Sequence, residues 1–332
     1  MDNTNLNKEP FSLEKVKMQS EDELFYFVDN KSINSERITA PRYSYWKSVF
    51  RIFFKSPLNW VLVGLFVLIL IMSYIYPATT SFDQFKNLSD PTTFNLSPAQ
   101  AINKFGFSFE YLLGTGASGE SIFLNVWFGA RTSISLALAC AAINMIVGVI
   151  MGAVWGYNKT VDAIMVVVYN IVSNVPYILL ITILVYVIGH GFIQFIFALT
   201  ITGWLSIAYF FRNQVLIIRG REYNLASKCL GTPLYKTVTK NILPFMTSVI
   251  MTILATEIPS YISSEVFLSY LGVGLNADIP SLGRMISSAQ TSWTTYPWRF
   301  WAPVSVSALI TIILYVLGQN LADASDPRTH MQ

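Results

Sequence analysis

Long apolar runs separated by short polar stretches set the pattern of this chain. Six windows of about 20 residues are almost free of charge: Asn59 to Tyr76, Thr132 to Trp155, Ala163 to Ile188, Phe192 to Phe211, Phe245 to Leu271 and Trp301 to Leu321. A helix of that length crosses a hydrocarbon core of roughly 30 Å, and lipid tolerates only a backbone that satisfies its own hydrogen bonds. The pattern therefore predicts an all-α polytopic membrane protein with six transmembrane helices. The fifth window is the least regular, because Glu257, Pro259 and Glu265 interrupt it.

Ahead of the first window, Trp46, Val49, Phe50, Phe53 and Phe54 recur at helical spacing, while Lys47, Arg51 and Lys55 fall four apart on another face. This predicts an amphipathic helix lying in the membrane interface over residues 43–58. The same residues could form the cytoplasmic start of the first span (59–76), but Pro57 breaks that continuity. Residues 1–42 are mixed in charge and rich in Asn, Ser and Glu, and read as a cytoplasmic tail. Residues 77–131, with the turn signals "SDPTT" and "NLSP", are too long for a connector and read as a small extracellular structure. Residues 132–321 hold spans two to six, and 322–332 form a short C-terminal tail. The loop over 272–300 faces the same side as 77–131 and ends in an aromatic cluster suited to the headgroup level.

Composition supports this reading: 12% of residues are charged, against about a quarter in soluble domains. Of the basic residues, 17 fall on the side that carries both termini and 5 on the other, so the positive-inside bias predicts cytoplasmic N and C termini. The first 58 residues are polar, so no cleavable signal peptide is expected and the first span stays as an anchor. A net charge of +3, spread along the chain, gives no footprint for nucleic acid. Cys140 lies in a span and Cys229 in a cytoplasmic break, so no disulfide, redox pair or metal spacing is expected.

Candidate chemistry is sparse. "GTGASGES" (Gly114 to Ser121) has the spacing of a phosphate-binding loop, but Glu120 stands where the lysine belongs and would repel phosphate. It reads as a glycine-rich turn. His190 and His330 lack metal-ligand neighbours, and no nucleophile and base pattern is present. No catalytic residue and no metal site are expected. Glu257 and Glu265 lie about two helical turns apart and face roughly one way. Together with Asn170 and Asn174 in the third span they are candidates for a translocation pathway, since intramembrane acids are expensive. Glu265 has a second reading, as the outer end of its helix bonded to the following loop. Asn144 and Ser173 suit polar contacts between helices.

The strongest local signal is a basic break. Arg212 to Lys240 carries six positive residues against one acid, Glu222. Within it, "NLASKCLGT" sets small residues at Ala226, Ser227 and Gly231, with Leu225, Leu230 and Leu234 as apolar contacts. A helix, a turn at Gly231 to Pro233 and a second amphipathic helix reaching Leu243 and Pro244 are predicted. Such charge cannot lie in lipid, so the unit projects into the cytoplasm and offers a face to a partner. An ordinary basic loop would explain the charge but not the spacing of small residues.

"LASKCLGTPLYKTVTKNILP" resembles the cytoplasmic "EAA" loop of bacterial ABC-importer permeases, through Leu225, Ala226, Ser227, Gly231, Leu243 and Pro244. "LLGTGASGES", "FGARTSISLALA", "SSEVFLSYLGVGL", "DIPSLGRMISSAQ" and "LGQNLADASDPR" are similar, in the same order, to the C-type subunit of oligopeptide permeases. The likeness covers roughly Lys55 to Arg328. It departs where the family's charged Gly-Thr-Asp-x-x-Gly-Arg-Asp segment reads Gly114, Thr115, Gly116, Gly119 and Glu120, and where Leu225 and Ser227 replace the usual acidic or valine residue and second alanine.

The resemblance implies a type I ABC importer permease fold in the bacterial cytoplasmic membrane and a non-catalytic half-channel for oligopeptides. It also implies a B-type permease as heterodimer partner, two ATPase subunits that hold ATP and Mg, and an extracytoplasmic peptide-binding protein that meets loops 77–131 and 272–300. Docking to an ATPase is then expected on Tyr223, Asn224, Ala226, Ser227, Gly231, Thr232 and Leu234, within a coupling loop at 212–244. The competing reading is an ion-coupled secondary transporter, which the two intramembrane acids would serve but which leaves the basic loop unexplained. An intramembrane enzyme lacks any constellation to support it.

Overall fold

A computed structural model describes residues 44–80 and 89–326. The expected tail at 1–42, part of loop 77–131, and Arg328 and His330 lie outside them. The first helix, α1 (Tyr45–Phe53), stops short of α2 (Pro57–Thr79). Pro57 sits in the first turn of α2, where a missing N–H leaves no bond unmade. Side chains tie the junction to the end of the chain. Asn59 Nδ2 donates to Phe53 O (2.7 Å), Asn320 Nδ2 donates to Asn59 Oδ1 (2.5 Å), and the Tyr45 hydroxyl donates to Ser325 O (2.7 Å). Val49 and Phe53 close against Ala324, while Trp46 and Phe50 remain exposed. Farther along α2 a π turn at Ile71–Ile75 turns Tyr74 towards Ser135, whose hydroxyl is 2.7 Å from its own.

The segment between α2 and the second span contains α3 (Pro98–Phe105), started by a reciprocal cap between Ser97 and Gln100. Thr115 stitches the segment together, its hydroxyl donating to Thr93 O (2.7 Å) and accepting from Leu96 N–H (2.8 Å). The glycine-rich turn closes on itself. Gly116 N–H donates to Glu120 O (2.9 Å) and Ser118 N–H to Glu120 Oε2 (2.7 Å). Glu120 thus takes an amide hydrogen that a phosphate would need, and burial pushes its carboxyl above the usual range.

The remaining elements are α4 (Ile122–Tyr157), α5 (Lys159–Ser173), α6 (Tyr177–Ile188), α7 (Phe192–Arg219), α8 (Glu222–Cys229), α9 (Thr237–Tyr270), α10 (Leu282–Ala289) and α11 (Pro297–Ala324). Among the described residues, five helices (α2, α4, α7, α9 and α11) are long and apolar enough to cross a bilayer. The third expected span is not one helix: α5 and α6 meet at 85°. Pro176 lacks the amide hydrogen a continuing helix requires and disfavours helical backbone at Val175. Counted as one broken span, the pair brings the total to six.

Other boundaries move for local reasons. The second span starts at Ile122 rather than Thr132, because the Ser121 hydroxyl caps Leu124 N–H (3.2 Å). The fourth runs to Arg219 rather than Phe211. Arg212 stays helical there by a two-pronged ion pair with Asp162 of α5, Nε to Oδ1 at 2.6 Å and Nη2 to Oδ2 at 2.9 Å. The second helix expected after Gly231 is helical from Leu234 through Leu243 and Pro244, as the turn Leu234–Lys236 followed by π and 3-10 turns, and it does not end there but runs on within α9. Pro259 lies inside α9 and cannot donate to the carbonyl of Ala255.

The core is built on α4 and α7. Gly148, Gly152 and Gly156 face α7 at one-turn intervals, against Ile207, Ala208 and Phe211, and Val215. A Cβ at Gly152 would lie 2.5 Å from the Cβ of Phe211 and 2.6 Å from Ala208 O, so only glycine permits this approach. Two buried polar links attach α9. Near the C-terminal end of α9, Glu265 is 0% exposed and accepts from the hydroxyls of Ser133 (2.9 Å), Ser269 (3.0 Å) and Ser281 (2.7 Å). The Gly283 N–H adds a fourth donor. Ser133 in turn accepts from Leu282 N–H (3.2 Å), so the start of α10 is bound to α4 and α9 together. Deeper in, Asn144 Nδ2 donates to the Tyr261 hydroxyl (2.5 Å).

Gly152→Val is expected to force α7 off α4 and cost about 1–3 kcal/mol, the usual range for overpacking a tight contact. A lowered melting temperature of the purified protein in detergent checks this; an unchanged one would mean that the glycine contact is not tight.

Candidate functional site

The first candidate surface lies where α8 meets the ends of the long helices. Asn224 is 3% exposed and turned inward, its Nδ2 donating to Ile218 O at 2.9 Å. It fastens α8 to the last turn of α7, so its expected place on a docking face needs correction: its side chain is spent within the chain. Arg219 Nη1 donates to Gly156 O (2.6 Å), binding the same corner to the end of α4. The Tyr223 ring lies 5.8 Å from that of Phe245 and so also touches the approach to α9. α8 is thereby attached directly to α7 and α9, and through Arg219 of α7 to α4.

The end of α8 is fixed by backbone geometry. Gly231 has φ +74°, a left-handed value that costs a side-chain-bearing residue roughly 1–2 kcal/mol. Its N–H donates to Lys228 O (3.0 Å), and Thr232 N–H donates to Ser227 O (3.1 Å). These two bonds form a Schellman stop, satisfying carbonyls that the helix end leaves open. The turn thrusts Leu230 out at 86% exposure, with Tyr235 at 64% on its far side. Ala226 and Gly231 are exposed, Ser227 and Thr232 are half-buried, and Leu234 opens the short turn that follows. Lys228, Lys236 and Arg221 surround this knob and are exposed.

Tyr235 is the residue that spacing alone overlooked. Pro233 gave the turn but not which side chain would emerge from it. Leu230 was visible as an apolar residue, and the structure makes it the most prominent of the group. Cys229 beside it is exposed and free, while Cys140 is buried within α4.

The second surface lies within the membrane-spanning region. Asn170 and Asn174 are both exposed at the α5–α6 break, where Asn174 Nδ2 donates to Asn170 O (2.6 Å). Glu257 and Glu265 do not act as a pair. Glu265 is sealed among serines, whereas Glu257 is half-buried and shares a hydrogen bond with the Tyr261 hydroxyl. Beside Glu257, α9 exposes Thr252, Thr256, Ser260 and Ser263 at intervals of about one turn. Thr252 and Thr256 return their hydroxyl hydrogens to carbonyls one turn back, which leaves acceptor capacity outward. The three- and four-residue spacing of these hydroxyls was present in the sequence but obscured by the two acids.

Comparison with known proteins adds identity to this geometry. Residues 144–331 match the family model described as "binding-protein-dependent transport system inner membrane component". The chain is 46% identical to the oligopeptide transport system permease protein AmiD of Streptococcus pneumoniae, over 93% of this chain and 98% of that protein. It is 33% identical to the oligopeptide transport system permease protein OppC of Bacillus subtilis, over 89% and 93% respectively. The dipeptide transport system permease protein DppC of Bacillus subtilis is 32% identical over 93% and 94%. With a multi-pass core of apolar helices and a matched region covering more than half its length, the chain belongs to the family of binding-protein-dependent transport system inner membrane components.

Proposed function

We propose that this chain is the C-type permease subunit of an ATP-driven oligopeptide importer, driven through the knob formed by α8 and its turn. The single observation that carries the coupling role is the geometry of that knob. Leu230 stands almost fully in solvent, on a short helix hydrogen-bonded to the end of α7, which Arg219 ties in turn to the end of α4, and in ring contact with Phe245 of α9. An exposed leucine of this kind gains about 1.5–3 kcal/mol when a cleft covers it. A push on α8 is transmitted to three spans because no slack joint separates them.

The cytoplasmic side is assigned to this end, with both termini on it, from the distribution of basic residues. ATP and Mg then belong to the two ATPase subunits, and nucleotide closure biases an inward-open and outward-open pair of states. Docking falls to Tyr223, Ala226, Ser227, Gly231, Thr232 and Leu234, with Leu230 and Tyr235 added, while Asn224 holds the helix from within. Membrane-level polar faces do not face lipid without cost. The hydroxyl stripe of α9 with Glu257, and Asn170 and Asn174 at the break, therefore supply this subunit's share of the pathway. The B-type permease covers the exposed side of α5 and α6, and an extracytoplasmic peptide-binding protein meets the opposite end.

Cys229 provides a direct test. A reagent that attaches to thiols at one end and is photoreactive at the other, placed on Cys229 of the assembled transporter, is expected to capture an ATPase subunit, since Cys140 is buried; absence of any such product would sink the coupling assignment. Leu230→Asp is expected to lower ATP-dependent peptide uptake by about ten-fold or more, from the lost apolar contact, with unchanged protein in the membrane. Gly231→Arg is expected to keep insertion and assembly yet uncouple transport, and normal uptake by that variant would count against the proposal. Uptake in vesicles should require ATP and survive collapse of ion gradients; dependence on a gradient would favour secondary transport.

A further inference from the structure

At the end of the molecule opposite α8, the turn before α7 and the loop after α9 enclose a cavity of about 220 Å³. His190, Ser269, Asn276, Arg284 and Ser287 line it. Arg284 is half-buried, and its Nη1 donates to Leu275 O (3.1 Å). Among the described residues no carboxylate pairs with it. A guanidinium carries five N–H donors in a rigid fork, so most of its capacity is left to the cavity. His190 Nδ1 lies 2.9 Å from Gly274 O and carries the hydrogen of that contact, while Asn276 N–H donates to His190 O (2.9 Å). The two loops are thus fixed to one another around an unpaired cation. Asp278, on the same loop, is exposed and is not part of the lining.

We propose that this cavity is a carboxylate socket that receives an acidic side chain of the extracytoplasmic binding protein. The inference rests on the importer reading, which makes this the outer end. A fixed, half-buried guanidinium without an anion selects a carboxylate, by charge and by the match of its fork to two oxygens. Leu275 and Ser269 also line the cavity and are buried, with Leu275 packed in the core. The socket also adjoins the seal around Glu265. Ser269 lines the cavity and donates to Glu265 (3.0 Å), and the Arg284 N–H donates to Ser281, another serine of that seal. Occupancy is therefore communicated to the joint between α4, α9 and α10.

The test uses the assembled transporter, with its partner permease and ATPases, in nanodiscs titrated with peptide-loaded binding protein while ATP hydrolysis is followed. Arg284→Gln, which keeps an amide donor, is expected to raise the half-saturating concentration of binding protein about ten-fold, the worth of one charge-assisted hydrogen bond. Arg284→Lys is expected to recover part of the loss, and added salt to narrow the gap between wild type and Arg284→Gln. An unchanged half-saturating concentration would overturn the proposal, as would a loss confined to the maximal rate, which would mean that Arg284 merely holds the loop. If the gap disappears with peptides amidated at the C-terminus, the carboxylate belongs to the peptide and the assignment to the binding protein fails. A wild-type assembly indifferent to the binding protein would instead overturn the importer reading itself, and this socket with it.

Discussion

The close approach of α4 to α7 is the contact on which the rest of the molecule is hung. Three glycines at one-turn intervals let the two most buried of the long helices touch at backbone distance, which in lipid has to do the work that the hydrophobic effect does in water. Polar links add to the apolar core in attaching other elements to this pair. Arg219 ties α7 to the end of α4, Arg212 carries α5 through Asp162, Asn224 carries α8, and Ser133 and Asn144 hold α9 through Glu265 and Tyr261. Each link is buried or half-buried and saturated on at least one side, so none can be exchanged for water without loss.

These links are unevenly distributed, and the unevenness carries the functional reading. The faces of α4 and α7 that meet each other and α9 are covered, whereas α5 has no buried residue and the break between α5 and α6 exposes two asparagines. The α8 turn likewise offers a leucine with nothing of its own chain over it. Such surfaces are what one member of an assembly leaves for its neighbours, and they differ in kind: hydroxyl and amide groups at membrane depth, an apolar tip among cations at one end, an unpaired guanidinium at the other.

Much of this was legible before any coordinates. Apolar windows and the few charges between them announced the spans, and the small residues before Gly231 announced a stop that backbone geometry made into a left-handed turn. What escaped was whatever depended on partners distant in sequence. Arg212 looked like the beginning of a loop because its counter-charge, Asp162, lies fifty positions away. Asn224 looked like surface because the carbonyl it serves belongs to the preceding helix. Glu265 was open to two readings, pathway or a bond to the following loop; Ser281 of that loop bears out the second, and what the sequence did not show was the share taken by Ser133 of α4. The broken third span is a different case, since Pro176 was in plain view and only the length of the apolar window concealed its effect.

Pro259 divides α9 into unequal dependencies. Before it the helix is continuous with the turn that follows α8, and after it Glu265 locks the helix to the loop that leads into α10. A missing amide hydrogen at that point lowers the resistance to bending, and Gly318 of α11 lies directly against Ala255, whose carbonyl is the one left unpaired. The helix is therefore an articulated rod rather than a stiff one, with its elbow backed by a neighbour that has no side chain. Motion delivered at the α8 end would reach the α10 end as a change of angle, so the two ends of the helix need never move by the same amount.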